Sequence, residues 1–215
     1  MKYRKTFAVV GAALLTMSVL TQAEAASGPD ELQQEINEVL SNTQGGVQIS
    51  RNEIAWNGGE AIMAFPLPGE ETAPPSSAAA VKLQTKKSGV SAKSVQSASS
   101  GSEALAADDG CPTQVFGPDW YCFYQYENFG GRRLQWNASH GHDDLVFFSE
   151  YYFDNKTSSW SNRGGNYIYV EGRSETGQDR SCNDNPIELW IESPHSSKSY
   201  VGAADDNKAD CFWTT

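Results

Sequence analysis

The sequence predicts an all-β domain, a β-sandwich, over residues 111–215, and three observations carry that expectation. Most of the aromatic residues of the chain fall in this stretch, and Gly, Asn and Asp punctuate it about every ten residues. The segments YCFYQY, RRLQW, NYIYVEG, IELWIE and SYVGA are rich in the aromatic and β-branched residues that strands favour. No convincing helical period appears there. About 105 residues with short strands at this spacing fit a sandwich.

The residues before it divide into three parts. Residues 1–25 carry Lys2, Arg4 and Lys5, an apolar run from Phe7 to Leu20, and then Ala23-Glu24-Ala25, the small-residue pattern at which a signal peptidase cuts. A secreted, extracellular protein is expected, with no membrane span or anchor, because no later stretch approaches the ~20 apolar residues a spanning helix needs. Residues 26–69 read as a small N-terminal pro-region. In it Leu32, Ile36, Val39 and Leu40 share one helical face behind an Asp30 cap. VQISRNEIAWNGGEAIMAF follows as two or three short strands, with Asn57-Gly58-Gly59 suited to a tight hairpin turn. Residues 70–110 turn to Ala, Ser, Pro and Lys and read as a flexible linker, too poor in apolar residues to offset its ordering entropy. Lys86-Lys87 offers a protease a cutting site there that would release the C-terminal part.

Four cysteines, Cys111, Cys122, Cys182 and Cys211, all lie in the C-terminal half. In an exported chain an even number reads as disulfides, with three pairings open. Cys111 with Cys122 and Cys182 with Cys211 is favoured, since the first two flank a Gly-Pro turn and the last two bracket one repeat. A zinc site is the competing reading, but no Cys-x-x-Cys pair is present. A formal charge of −11 argues against a nucleic-acid groove or an anionic membrane surface as partner.

One repeat is visible. FDNKTSSW and DDNKADCFW align Asp154-Asn155-Lys156-Thr157-Ser158-Ser159-Trp160 with Asp206-Asn207-Lys208-Ala209-Asp210-Cys211-Phe212 at a constant offset, so the domain is expected to be two related halves. In the first half Tyr124, Phe129 and Gly131 precede the corner as aromatic-x4-aromatic-x-Gly. There the second ring would fold over a hairpin, and the Gly would sit where no side chain fits.

These two elements in this order resemble the βγ-crystallin Greek-key motif, whose calcium-binding form ends in [Asn/Asp]-[Asn/Asp]-x-x-[Ser/Thr]-Ser. The resemblance implies two stacked four-stranded sheets in Greek-key topology. The first half matches at every defined position. The second departs at Asp210 and Cys211 and shows no clean aromatic hairpin around Tyr167 to Gly177. The resemblance further implies Ca2+ held between the two corners, at one or two sites. Calcium takes six to eight oxygens, so carboxylates, hydroxyls and backbone carbonyls are the ligands to look for. Carried over by position they are Asp154, the Lys156 carbonyl and Ser158 from one corner, with Asp206, the Lys208 carbonyl and Asp210 from the other. Asn155 and Asn207 complete the corners. The competing reading is an Asx-turn with serine caps and no metal.

Other constellations read as ordinary surface or core. His140-Gly141-His142-Asp143-Asp144 could face a transition metal but reads as an exposed polar turn, and His195 as a loop residue. LVFFSEYYF reads as the segment that leads into the Asp154 corner and packs across the core. No nucleophile elbow, zinc helix or phosphate loop appears, and an enzyme is not expected. Asn155-Lys156-Thr157 and Asn137-Ala138-Ser139 match the glycosylation triplet, a pattern that chance produces often.

An export signal, a disulfide-bearing crystallin-like domain and its Cys-x-Phe-Tyr start together resemble the secreted peptidase inhibitor family that includes the Streptomyces-type metalloproteinase inhibitors. That resemblance implies an extracellular protease as partner, a monomer, and a disulfide-braced reactive loop for which Ser181-Cys182-Asn183 is the candidate. The chain departs from the family in lacking a second closely spaced Cys and in carrying Asn183 where an apolar residue would suit a thermolysin-like pocket. Two alternatives stand beside inhibition: a structural extracellular calcium-binding module, and a toxin-like interaction protein.

Overall fold

The computed structural model describes residues 30–87, 109–112, 120–173, 182 and 186–215. The signal segment, most of the second half of the linker, and Ser181 and Asn183 lie outside the described residues. Among those described, no helix is long and apolar enough to cross a membrane.

The N-terminal part opens on helix α1 (Glu31–Asn42), whose cap is Asp30: its Oδ1 accepts from the Leu32 N–H at 3.3 Å. Strands β1 (Val47–Ser50), β2 (Glu53–Trp56) and β3 (Ala61–Ala64) follow. The β2–β3 turn places Asn57, Gly58 and Gly59 at φ 50, 67 and 98°, the left-handed region that this turn demands. Helix α2 (Ala78–Lys87) comes next, and then the C-terminal strands: β4 (Tyr121–Tyr124), β5 (Arg133–Trp136), β6 (Val146–Phe147), β7 (Ser159–Asn162), β8 (Ile168–Gly172), β9 (Ile187–Glu192), β10 (Ser196–Lys198) and β11 (Cys211–Thr214).

These strands make two sheets, in the orders β1-β2-β3-β5-β4-β7-β10 and β6-β11-β8-β9. The C-terminal domain supplies four strands to each. Strands β4 to β7 form one unit and β8 to β11 the other, and each unit places three strands in its own sheet and sends its third, β6 or β10, to the sheet of its neighbour. That exchange is the Greek-key topology expected from the crystallin resemblance, and the domain is a βγ-crystallin-like sandwich. The inner faces meet around Phe212, whose ring lies 4.8 Å from that of Trp136 and 5.1 Å from that of Phe123. Register aligns Met63, Leu134, Phe123 and Trp160 in one row across β3, β5, β4 and β7. Phe148, Tyr151 and Phe153 are buried in the same core, so LVFFSEYYF crosses it as expected.

The N-terminal part is not a separate body. Strand β3 pairs antiparallel with β5 and so extends the first sheet. Leu32, Ile36 and Val39 of α1 join the same core, and the Trp56 ring meets that of Tyr151 edge-on at 5.2 Å. The Tyr152 hydroxyl donates to Glu38 at 2.7 Å. Nor are residues 70–87 a flexible linker. Ala80 is buried with Ala55, Ile62, Trp120 and the Cys111–Cys122 disulfide on the outer face of the seven-stranded sheet, where α2 covers it. Composition misled here for a physical reason: alanine is poor in apolar area but is the best helix former, and Ser77 caps the helix by accepting the Ala80 N–H at 3.2 Å.

SYVGA is likewise not a strand. The third strand of the second unit lies just before it, at Ser196–Lys198. Val201 is a buried anchor whose N–H donates to Ser158 O at 2.8 Å, and the chain turns at Gly202 with φ 107°.

A buried cation secures the segment before α2. Arg133 is fully buried and donates to the carbonyls of Ala73 (3.0 Å) and Pro74 (2.9 Å) and to Gln135 (2.8 Å). Arg133→Met fills much of the same volume but leaves both carbonyls unpaired. At ~1–3 kcal/mol for each unsatisfied buried group, about 3 kcal/mol of stability should be lost, readable as a lower urea midpoint.

Candidate functional site

The paired corners lie where the two units meet. Asn155 and Asn207 both adopt the left-handed conformation, at φ 52 and 57°, in which Asn is among the few residues found routinely. The Asn155 N–H donates to Ala209 O at 3.0 Å and, in the equivalent bond, the Asn207 N–H donates to Thr157 O at 3.1 Å. The structure therefore brings Asp154, Asn155, Lys156 and Ser158 against Asp206, Asn207, Lys208 and Asp210 in a two-fold arrangement.

In the first unit the corner braces the hairpin. The rings of Tyr124 and Phe129 pack edge-on at 5.3 Å. Gly131 has φ 71°, and a Cβ there would stand 2.8 Å from both Gln125 Cβ and a Tyr126 ring carbon. Ser158 Oγ donates to Gln125 O at 3.1 Å. Ser159 Oγ donates to Tyr126 O at 2.6 Å while accepting the Phe129 N–H at 3.1 Å. Ser159 thus joins the corner to both sides of the hairpin. Ser159→Ala should cost about 1–3 kcal/mol, the range for a buried partner lost, with a fall in thermal midpoint as the readout.

The second corner uses other chemistry for the same purpose. The Asp210 N–H donates to Glu171 O at 3.0 Å, just as the Ser158 N–H donates to Tyr124 O at 3.0 Å. Where Ser159 makes hydrogen bonds, Cys211 makes a disulfide to Cys182. The second repeat looks degenerate in sequence because a covalent brace has replaced a hydroxyl one. Both disulfides follow the favoured pairing, and free cysteines are absent among the described residues.

The Asp154–Asp210 pair and the lone Asp206 carboxylate differ in their surroundings. Arg173, at the end of β8, reaches between Asp154 and Asp210: Nη2 is 2.8 Å from Asp154 Oδ1 and Nε 3.3 Å from Asp210 Oδ1. Burial pushes the Asp154 carboxyl up to about 6, helped by the hydrogen bond and charge of Asp210, while Arg173 and Asn155 pull it back. Among the described residues, Asp206 has no such cation. Its Oδ2 accepts from Asn207 at 3.1 Å, and its Oδ1 is shielded from solvent without a hydrogen-bond partner. Arg173 escaped the sequence reading because it lies outside both repeated corners; the one signal was a cation directly after strand β8, where the first unit has Tyr126.

The remaining constellations have structural partners. His140 lies 3.4 Å from Glu60 and 3.1 Å from Asp144, and the rings of His142 and Trp213 meet edge-on at 5.2 Å. His195 sits in the β9–β10 turn with Nδ1 3.0 Å from Arg163 O. Among the described residues, no group of three or more His, Cys, Asp or Glu side chains is placed to hold a metal ion. A cation at the corners would therefore rest largely on hydroxyl and carbonyl oxygens.

Sheet order, strand exchange and paired corners define a βγ-crystallin-like domain. Residues 106–177, about a third of the chain, match the model of peptidase inhibitor family I36. Among solved structures, one described as "Evolution of the eye lens beta-gamma-crystallin domain fold" matches with 14% identity and a TM-score of 0.35, over 48% of this chain and 92% of that one. No curated protein matches.

Proposed function

We propose that this chain is an exported peptidase inhibitor, not an enzyme, built on a βγ-crystallin-like domain that takes calcium at its Asp206 corner. The similarity of residues 106–177 to peptidase inhibitor family I36 carries the reading. Two disulfides support an oxidising, extracellular setting. The bond from Cys182 to Cys211 ties Cys182, the centre of the candidate reactive segment Ser181-Cys182-Asn183, to strand β11. A segment held in this way loses little conformational entropy on entering a protease cleft, which is how a substrate-like inhibitor gains affinity.

For calcium, Asp206, the Lys156 carbonyl and Ser158 are the residues that would hold the ion. The unpartnered Asp206 Oδ1 supports that choice, as does Ser158 Oγ, which donates its proton to Gln125 O and keeps its lone pairs. Bound there, calcium would supply positive charge that cross-links the two units. The experiment is a panel of metallo-, serine and cysteine proteases assayed with micromolar protein, with and without calcium. Loss of activity in at least one class supports inhibition. A calcium-raised melting temperature with no inhibition in any class would instead leave the structural module as the reading.

A further inference from the structure

The two corners are related by symmetry, yet their carboxylates are satisfied differently. At the Asp154–Asp210 side every carboxylate oxygen already has a donor. Asp154 Oδ1 accepts from Arg173 Nη2 at 2.8 Å and Oδ2 from Asn155 at 3.1 Å. Asp210 Oδ1 accepts from Asn155 at 3.1 Å and faces Arg173 Nε at 3.3 Å, while its Oδ2 accepts the backbone N–H of Arg173 at 2.7 Å. The carbonyl that position assigns to this side, that of Lys208, lies close against Gly172: a Cβ there would stand 2.9 Å from it. Gly172 thus lets the end of β8 press against the corner and deliver the next side chain into it. At the Asp206 side one carboxylate oxygen has no partner.

We propose that the Arg173 guanidinium is a tethered cation standing in for a divalent ion at the Asp154–Asp210 corner, so that this half of the pair is cross-linked without metal. Its planar donors engage both carboxylates, one from each unit, which is the bridging role an ion shared between corners would play. Unlike an ion it cannot dissociate, so this side keeps its cross-link in the presence of chelators. The domain is then asymmetric by construction: one corner permanently closed, the other open to calcium.

The test compares the full chain with Asp154→Asn, Arg173→Gln and Arg173→Lys, measuring calcium equivalents by calorimetry and melting temperature in chelator and in millimolar calcium. Asp154→Asn should shift the melting temperature by the same amount in both conditions, because its partner is covalently present in each. Arg173→Gln should bind one more calcium equivalent than the unmodified chain, while Arg173→Lys, which keeps the charge, should bind no more. A shift for Asp154→Asn that appears only in calcium overturns the proposal, as does equal stoichiometry in the unmodified chain and Arg173→Gln. If Arg173→Gln does not fold, the Asp154→Asn comparison decides alone. An unmodified chain that binds no calcium, with one equivalent gained in Arg173→Gln, removes calcium from the proposed function and upholds the role of Arg173.

Discussion

A chain beginning at Ala106, where the similarity to the inhibitor family starts, is expected to aggregate or to lack a cooperative melting transition. Residues 30–87 place Leu32, Ile36, Val39, Ile54, Trp56, Met63 and Phe65 in the shared core. At ~1.5–3 kcal/mol per buried large side chain, these seven contribute roughly 10–20 kcal/mol of burial, as much as the whole net stability of a typical domain, about 5–15 kcal/mol. Their removal also opens the β5 edge, whose unpaired backbone groups invite another chain. It strands Arg133 in an apolar face without the Ala73 and Pro74 carbonyls. Cleavage after Lys87 should accordingly leave two chains that stay together. Size-exclusion chromatography of the cut protein, followed by denaturing electrophoresis, should find both fragments in one peak. Separate peaks, with a folded C-terminal fragment, would show the N-terminal part to be a disposable pro-segment.

Stability should fall as pH rises above the free carboxylate range, and Glu192→Gln should lessen that slope. Glu192 is fully buried beside the inner core, its Oε1 accepting from the Trp190 indole at 3.2 Å and its Oε2 without a partner. Burial pushes this carboxyl well above the usual range, against a smaller opposing effect of the Trp190 hydrogen bond. The folded state therefore holds a proton that the unfolded chain releases near pH 4.3. The associated stability is present below that value and is lost as pH rises toward the folded pKa, at about 1.4 kcal/mol per pH unit for one group. Asp154, raised to about 6, acts with the same sign. Urea unfolding of the unmodified chain and of Glu192→Gln across the same pH series isolates the part that Glu192 contributes. A flat profile in the unmodified chain, or an unchanged slope in Glu192→Gln, would mean that Glu192 ionises in the fold.

Much of this structure could be read from residue patterns, and the misses have identifiable physical causes. The Asp-Asn-Lys repeat located both corners because left-handed Asn and its neighbours recur wherever this turn is built. The aromatic-x4-aromatic-x-Gly spacing located the first hairpin because Gly131 has no room for a Cβ. Strand β7 (SWSN) was invisible because Ser161 and Asn162 are buried polar residues held by the ladder between β4 and β10, a tertiary fact that propensity does not encode. Composition separated residues 30–87 from the domain, yet sheet pairing, a long-range contact, joins them. Arg173 was missed for the same reason: its role depends on two carboxylates 19 and 37 positions away in the chain.

The proposed role is inhibition, and the disulfide from Cys182 to Cys211 fixes Cys182, the centre of the candidate reactive segment, to strand β11. Titrating one metallo-, one serine and one cysteine protease with the intact chain and following residual activity addresses this most directly. The expected result is a stoichiometric fall to zero against at least one of them; three flat lines up to micromolar protein would contradict it.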